Sequence, residues 1–150
     1  MNNEIILALT DEDENKAYEY TKKICSESEH TDKYYKNIDD FVSLITNKNS
    51  YIRTRAFILC CSQSKWDTNG KIKSVLPQML TLFHDIKPTV VRQCLNAVKE
   101  VVVYRPELAE TVENELKKIY LSQYKDSMSP LIKKDMDSLT ELINEVRNVK

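Results

Sequence analysis

The apolar positions of this chain fall into stripes, and one stripe recurs. Counted from Arg53, the offsets −1, +3, +6 and +10 hold Ile52, Ala56, Leu59 and Gln63. Counted from Arg92 they hold Val91, Leu95, Val98 and Val102, and from Lys133 they hold Ile132, Met136, Leu139 and Ile143. Steps of four, three and four put side chains on one face of an α-helix, and only Gln63 interrupts the apolar run. Arg53 to Arg92 is 39 residues (92 − 53), and Arg92 to Lys133 is 41 (133 − 92). A helical period of about 40 residues is the mark of stacked helix pairs, each too small to bury its apolar face alone.

A second kind of helix precedes each of these. Tyr34, Ile38, Phe41 and Ile45 form its stripe over residues 32–46; Leu80 stands 39 residues after Phe41, Phe83 39 after Leu44, and Ile119 a further 39 after Leu80. The predicted helices are 32–46, 50–65, 71–83, 88–104, 107–121 and 130–146, the last fraying after Val146. Asn47 to Ser50, Asn69-Gly70 and His84 to Pro88 supply turn chemistry between them, and Pro77 predicts a kink. Ser122 to Ser129 is the longest turn and carries the two extra residues of the 41 spacing. Thr10 with Asp11-Glu12-Asp13 predicts an N-cap and an acidic capping helix 11–28, with a short helical turn at Ile5 to Leu9 before it. The expected organisation is one domain, 1–150: the capping helix and pairs 32–67, 71–106 and 107–147.

Composition supports long helices, because one glycine and four prolines cannot supply the turns of an all-β fold. Met1-Asn2-Asn3-Glu4 has no basic leader, Ile5 to Leu9 is too short for a signal core, and no apolar run is membrane-length. A cytoplasmic protein without membrane contact is the expectation.

Net charge is −1 but unevenly placed. Residues 1–36 carry nine acids and five bases (net −4), 37–106 five and ten (net +5), and 107–150 nine and seven (net −2). A basic centre between acidic ends can steer an anionic partner. Cys25, Cys60, Cys61 and Cys94 form no Cys-x-x-Cys pair, and His30 and His84 are the only histidines. Free thiols are expected, with no metal and no cofactor.

The candidate binding residues sit at the starts of the second-type helices and in the turns before them. Arg53, Arg92 and Lys133 read as a cation ladder for a carboxylate or phosphate, or as internal partners of Asp85 and Asp126. Arg55 and Gln93 fall outside the apolar register, so exposure is expected for them. With Lys87, Arg92, Tyr124 and Lys125 they should form one cation-rich patch with an aromatic edge. Trp66, beside Lys65 and Asp67, reads either as an exposed anchor or as a plug between units. There is no histidine beside a nucleophile and no glycine-rich phosphate loop, so no catalytic residue is assigned.

Ile52-Arg53, Val91-Arg92 and Ile132-Lys133 resemble the apolar–cation start of the second helix in HEAT repeats. The strings Asn49-Ser50-Tyr51-Ile52-Arg53-Thr54-Arg55, Lys65-Trp66-Asp67, Asp85-Ile86-Lys87-Pro88, Arg92-Gln93-Cys94 and Tyr124-Lys125-Asp126-Ser127-Met128 are similar, over about residues 37–145, to a family of small Firmicutes HEAT-like proteins often labelled SufBD-like. That resemblance implies an all-α, right-handed superhelical stack of three pairs with an N-terminal cap. It carries no activity; the iron–sulfur assembly that the label evokes belongs to β-rich proteins. The expected function is a non-catalytic module that binds a protein or an acidic peptide. The alternative is a nucleic-acid binder, or a glycosylase resembling helical-repeat alkylation-repair enzymes, using Arg53, Arg92, Trp66 and Asp67 in a basic groove.

Overall fold

The computed structural model describes residues 3–148; positions 1, 2, 149 and 150 of the expected domain lie outside the described residues. Among the described residues the chain is all-α, with no strand. The helices are α1 (Asn3–Leu9), α2 (Glu14–Ser28), α3 (Ile38–Ser43), α4 (Ser50–Ser62), α5 (Lys71–Met79), α6 (Pro88–Ala97), α7 (Lys99–Tyr104), α8 (Ala109–Leu116) and α9 (Ser129–Asn148). No helix among the described residues is long and apolar enough to cross a membrane.

Local chemistry sets the boundaries. Asp13, not Thr10, caps α2: its carboxylate accepts from the backbone N–H of Asn15 and Lys16. Thr10 instead donates its hydroxyl to the Ile6 carbonyl at 2.7 Å and closes α1. Asn49 caps α4 in the same way as Asp13 caps α2, accepting from Tyr51 and Ile52. Gly70 stands before α5 at φ 73°, a left-handed conformation that glycine adopts without strain. Pro77 takes one donor out of α5, and the chain tightens into a 3-10 turn at Leu80–His84. The predicted helix 32–46 contracts to α3 behind a 3-10 turn at Tyr35–Asn37. Likewise 107–121 contracts to α8 behind a 3-10 turn at Pro106–Leu108. The helix expected at 88–104 is divided at Val98, where ψ relaxes to −15°. Its ladder continues through the break, because Val98 N–H bonds to Cys94 and Val102 N–H to Val98. The last helix holds its geometry past Val146, to Asn148.

Packing follows the stripes. The second-type helices lie side by side, α4 on α6 and α6 on α9, with α2 on the far side of α4. The first-type elements cover one face of that row: α1 and α3 lie over α2 and α4, the Leu80–His84 turn over α6, and α8 over α9. All the recurring stripe positions are buried except Met136, which is half-buried. Phe41, Phe57 and Phe83 fill the middle, the rings of Phe57 and Phe83 6.4 Å apart.

Gln63 is buried although it is polar: its amide nitrogen donates to the hydroxyls of Ser28 (3.0 Å) and Ser62 (2.9 Å), while its amide oxygen is buried without a hydrogen-bond partner among the described residues. A buried amide left without such partners would destabilise the core by about 1–3 kcal/mol.

Candidate functional site

Helix α6 carries two stripes. Val91, Leu95, Val98 and Val102 run into the core, with α7 continuing the face. Thr89, Gln93, Asn96 and Glu100 repeat the same four, three, four steps two residues out of phase. At about 100° per residue, two residues turn the helix by about 200°, so the polar stripe faces away from the core.

That polar stripe lines a groove of about 810 Å³. The groove crosses the row of helices on the face the first-type elements leave open, from Cys25 of α2, over Ile58 and Cys61 of α4, to Asp135 of α9. Ala97 and Ile58 give it apolar floor. The side-chain amides of Gln93 and Asn96 are exposed and make no hydrogen bond within the described residues. Each offers a donor and an acceptor, the pair of functions a peptide unit requires.

The groove's cations are engaged. Arg92 Nε donates to Asp135 Oδ2 at 2.6 Å, and Lys99 Nζ donates to Ser138 Oγ at 2.8 Å. Lys65, beyond the Cys25 end, donates to the Glu29 carbonyl at 2.8 Å and lies over the Trp66 ring. The carboxylate of Glu100 has neither a hydrogen bond nor an ion pair among the described residues. Burial, and then the charge of Glu29, push its pKa up, while Lys65 pulls it down.

The expected site residues scatter. Arg92 and Gln93 lie in the groove. Arg53 is turned to the neighbouring unit, its Nε 2.6 Å from Asp85 Oδ2, as the internal reading anticipates. Arg55, expected to be exposed, is 6% exposed, because α2 lies across its side of α4. Its guanidinium pairs with the Glu14 carboxylate and lies over the Tyr51 ring. Tyr124, expected at an aromatic edge, is 7% exposed, and its hydroxyl donates to the Asp85 carbonyl at 2.7 Å. Arg92 pairs with Asp135 rather than Asp126, which is exposed in the turn before α9. Lys133 pairs with Asp137 on its own helix. Lys87 and Lys125 are exposed, and Lys87 Nζ lies 3.3 Å from Ser50 Oγ. The single patch expected from Arg55, Lys87, Arg92, Gln93, Tyr124 and Lys125 is therefore not assembled.

Trp66 and Asp67 serve the fold. Trp66 Nε1 donates to the Ser28 carbonyl at 2.7 Å and pins the end of α2 to the end of α4. Asp67 is 2% exposed; it accepts from the backbone N–H of Lys71 and Ile72 and from the Tyr35 hydroxyl. It caps α5 from three residues ahead of Gly70.

Cys60, Cys61 and Cys94 are buried free thiols, and burial drives each pKa far above the ordinary thiol value. Cys25 is half-buried in the groove, pushed up to about 11 by burial and by Glu100. None is poised as a thiolate nucleophile near neutral pH.

Asn96, Glu100 and Asp135 were missed by the reading of the apolar stripe. Their signal is the out-of-phase polar stripe of α6, and for Asp135 the packing of α6 on α9. Compared with known protein families, curated proteins and solved structures, the chain shows no match.

Proposed function

We propose that the chain is a HEAT-like right-handed array in which α3–α4, α5–α6 and α8–α9 are the pairs and α1–α2 the cap, and that it binds an extended segment of another protein. The groove carries this reading: about 810 Å³, open along the row of second-type helices, with apolar floor and unengaged amides on its wall. Neighbouring helices pack about 8–10 Å apart, so the row from α2 to α9 spans about 24–30 Å. An extended chain rises about 3.3 Å per residue, so about seven to nine residues lie along it. Gln93 and Asn96 then serve the segment's backbone, and Ile58 and Ala97 accept an apolar side chain.

Nucleic acid has weaker support. Arg53 and Arg92, the cations on which that reading depends, are held by the carboxylates of Asp85 and Asp135 and are not free to meet phosphates.

The test is a selection of displayed random peptides of about twelve residues, longer than the groove's span. Binders to the full chain are counter-selected on Asn96→Trp, whose indole fills the groove. Binders that require the open groove support the reading; a selection that yields only peptides indifferent to Asn96→Trp contradicts it.

A further inference from the structure

We infer that the segment taken by this groove carries a lysine or arginine, and that Glu100 receives its cation. The inference rests on the peptide-binding reading and names the chemistry of its partner. Its sign is opposite to the acidic partner expected from the basic centre of the chain.

A carboxylate entering the groove would find Arg92 held by Asp135, Lys99 by Ser138 and Lys65 by the Glu29 carbonyl. Arg92 is thereby neutralised, whereas Lys99 and Lys65 are held only by neutral oxygens and keep further N–H donors; the preference for a cation rests on Glu100, the one carboxylate of the groove lining with neither a hydrogen bond nor an ion pair among the described residues. A cation entering at the Cys25 end breaks no contact and meets Glu100 and Glu29, with Lys65 and Lys99 on the same rim. Glu100 lines the groove there, on the first turn of α7, half-buried and without a hydrogen bond or an ion pair among the described residues. Its place beside Cys25 and Cys61 is marked by the effect of its charge on both thiols.

A half-buried carboxylate without a partner is destabilising in the free protein. Glu29 adds like charge at the same end, opposed by Lys65. A narrower opening lined by Ser28, Glu29, Lys65, Lys99, Glu100 and Tyr104 continues the groove beyond Glu100, with room of about 240 Å³. A long basic side chain can pass Glu100 with its head in that opening and its aliphatic stem over Val103. Both gains, a charge-assisted hydrogen bond and relief of the Glu29–Glu100 repulsion, arise only on binding.

Peptides from the selection on the full chain are sequenced, and their affinities are measured on the unaltered protein and on Glu100→Gln. Glutamine keeps the shape and removes the charge, and loss of an unpaired acid does not endanger folding. The expected result is a basic residue enriched at one position, with affinity falling about 10–100-fold on Glu100→Gln and equally when that residue is changed to an uncharged isostere. Groove-dependent peptides with no basic enrichment, or with unchanged affinity on Glu100→Gln, overturn the inference and leave the peptide-binding reading standing. Absence of any groove-dependent peptide overturns both.

Discussion

Arg53 meets Asp85 edge to edge, with Nε 2.6 Å from Oδ2 and Nη2 2.9 Å from Oδ1. The pair joins the first turn of α4 to the turn that precedes α6. Arg53 also donates to the Lys48 carbonyl at 3.0 Å, and the Tyr124 hydroxyl reaches the Asp85 carbonyl from the next turn along. Three successive turns are thus tied through one residue, Asp85. The two side chains are only 12% and 7% exposed, so little solvent screens them. Arg53→Ala should lower stability by about 3–5 kcal/mol, because it strands a buried carboxylate. Replacing Arg53 and Asp85 together by leucine should restore most of that loss. Urea denaturation reads both; a loss under about 1 kcal/mol for the single change would show the pair to be no more than a surface contact.

Leu95 lies between α4 and α9 on the core face of α6 and is fully buried. Leu95→Ala should cost about 2–5 kcal/mol in chemical denaturation. A shift under about 0.5 kcal/mol would place Leu95 on a surface and break the assigned register.

Glu100 predicts a pH dependence. Its folded pKa is raised, so between the unfolded carboxylate value of about 4.3 and the folded value the native chain holds the proton more tightly. Its contribution is neutral below that window and becomes destabilising as pH rises through it. Glu100→Gln should therefore stabilise the protein at pH 7, with the gain vanishing on acidification toward pH 4. Thermal midpoints of the two proteins across that range give the comparison, and a gain that grows in acid would contradict the environment described for Glu100.

Tyr35 makes the alkaline counterpart. Burial and the Asp67 carboxylate, 2.5 Å from its hydroxyl, push its pKa up to about 12. Above about pH 10 the unfolded chain releases this proton first, so this tyrosine makes stability fall as pH rises toward 12. Asp67→Asn should bring one tyrosine ionisation down in an ultraviolet titration. It should also cost about 1–3 kcal/mol, by weakening the cap on α5 and the Tyr35 bond.

The thiols should separate by burial. In the native protein at pH 8, Cys25 should react slowly with a disulfide reagent and Cys60, Cys61 and Cys94 more slowly still. All four should react at once in denaturant without reductant. Recovery of fewer than four would mean that one is oxidised or ligated.

The core was legible because burial along a helix is periodic. Ile52, Leu59, Val91, Leu95, Ile132 and Ile143 are buried on the faces that the four-three-four steps mark. Even Gln63, the apparent break, lies on that face, since two serine hydroxyls stand where apolar neighbours would otherwise be needed. Helix ends were less legible. Asp13, read as an acid of the first turn, is the cap of α2 itself, because Thr10, read as the cap, is used to close α1.

The site was less legible still, because an ion pair across helices depends on which turn faces which. Asp126 lies in the turn that matches Asp85, yet the packing of α6 on α9 gives Arg92 to Asp135. Arg55 stands outside the stripe of its own helix and is covered by a different one, α2. Stripes report the face toward the paired layer, not the face toward the neighbour in the row. The polar stripe of α6 was readable in the same residues, by asking what stands opposite Leu95 instead of what repeats it.

The central claim is that the open groove receives an extended segment. Amide chemical-shift mapping of the folded protein, titrated with a groove-selected peptide, tests it most directly. The account predicts shifts centred on Ile58, Gln93, Asn96, Ala97 and Glu100, all lost on Asn96→Trp. Shifts centred instead on the covered layer around Ile72 and Val112, or on exposed Tyr51 at the start of α4 and the turn residues Ile86 and Lys87, with the groove unmoved, would contradict it.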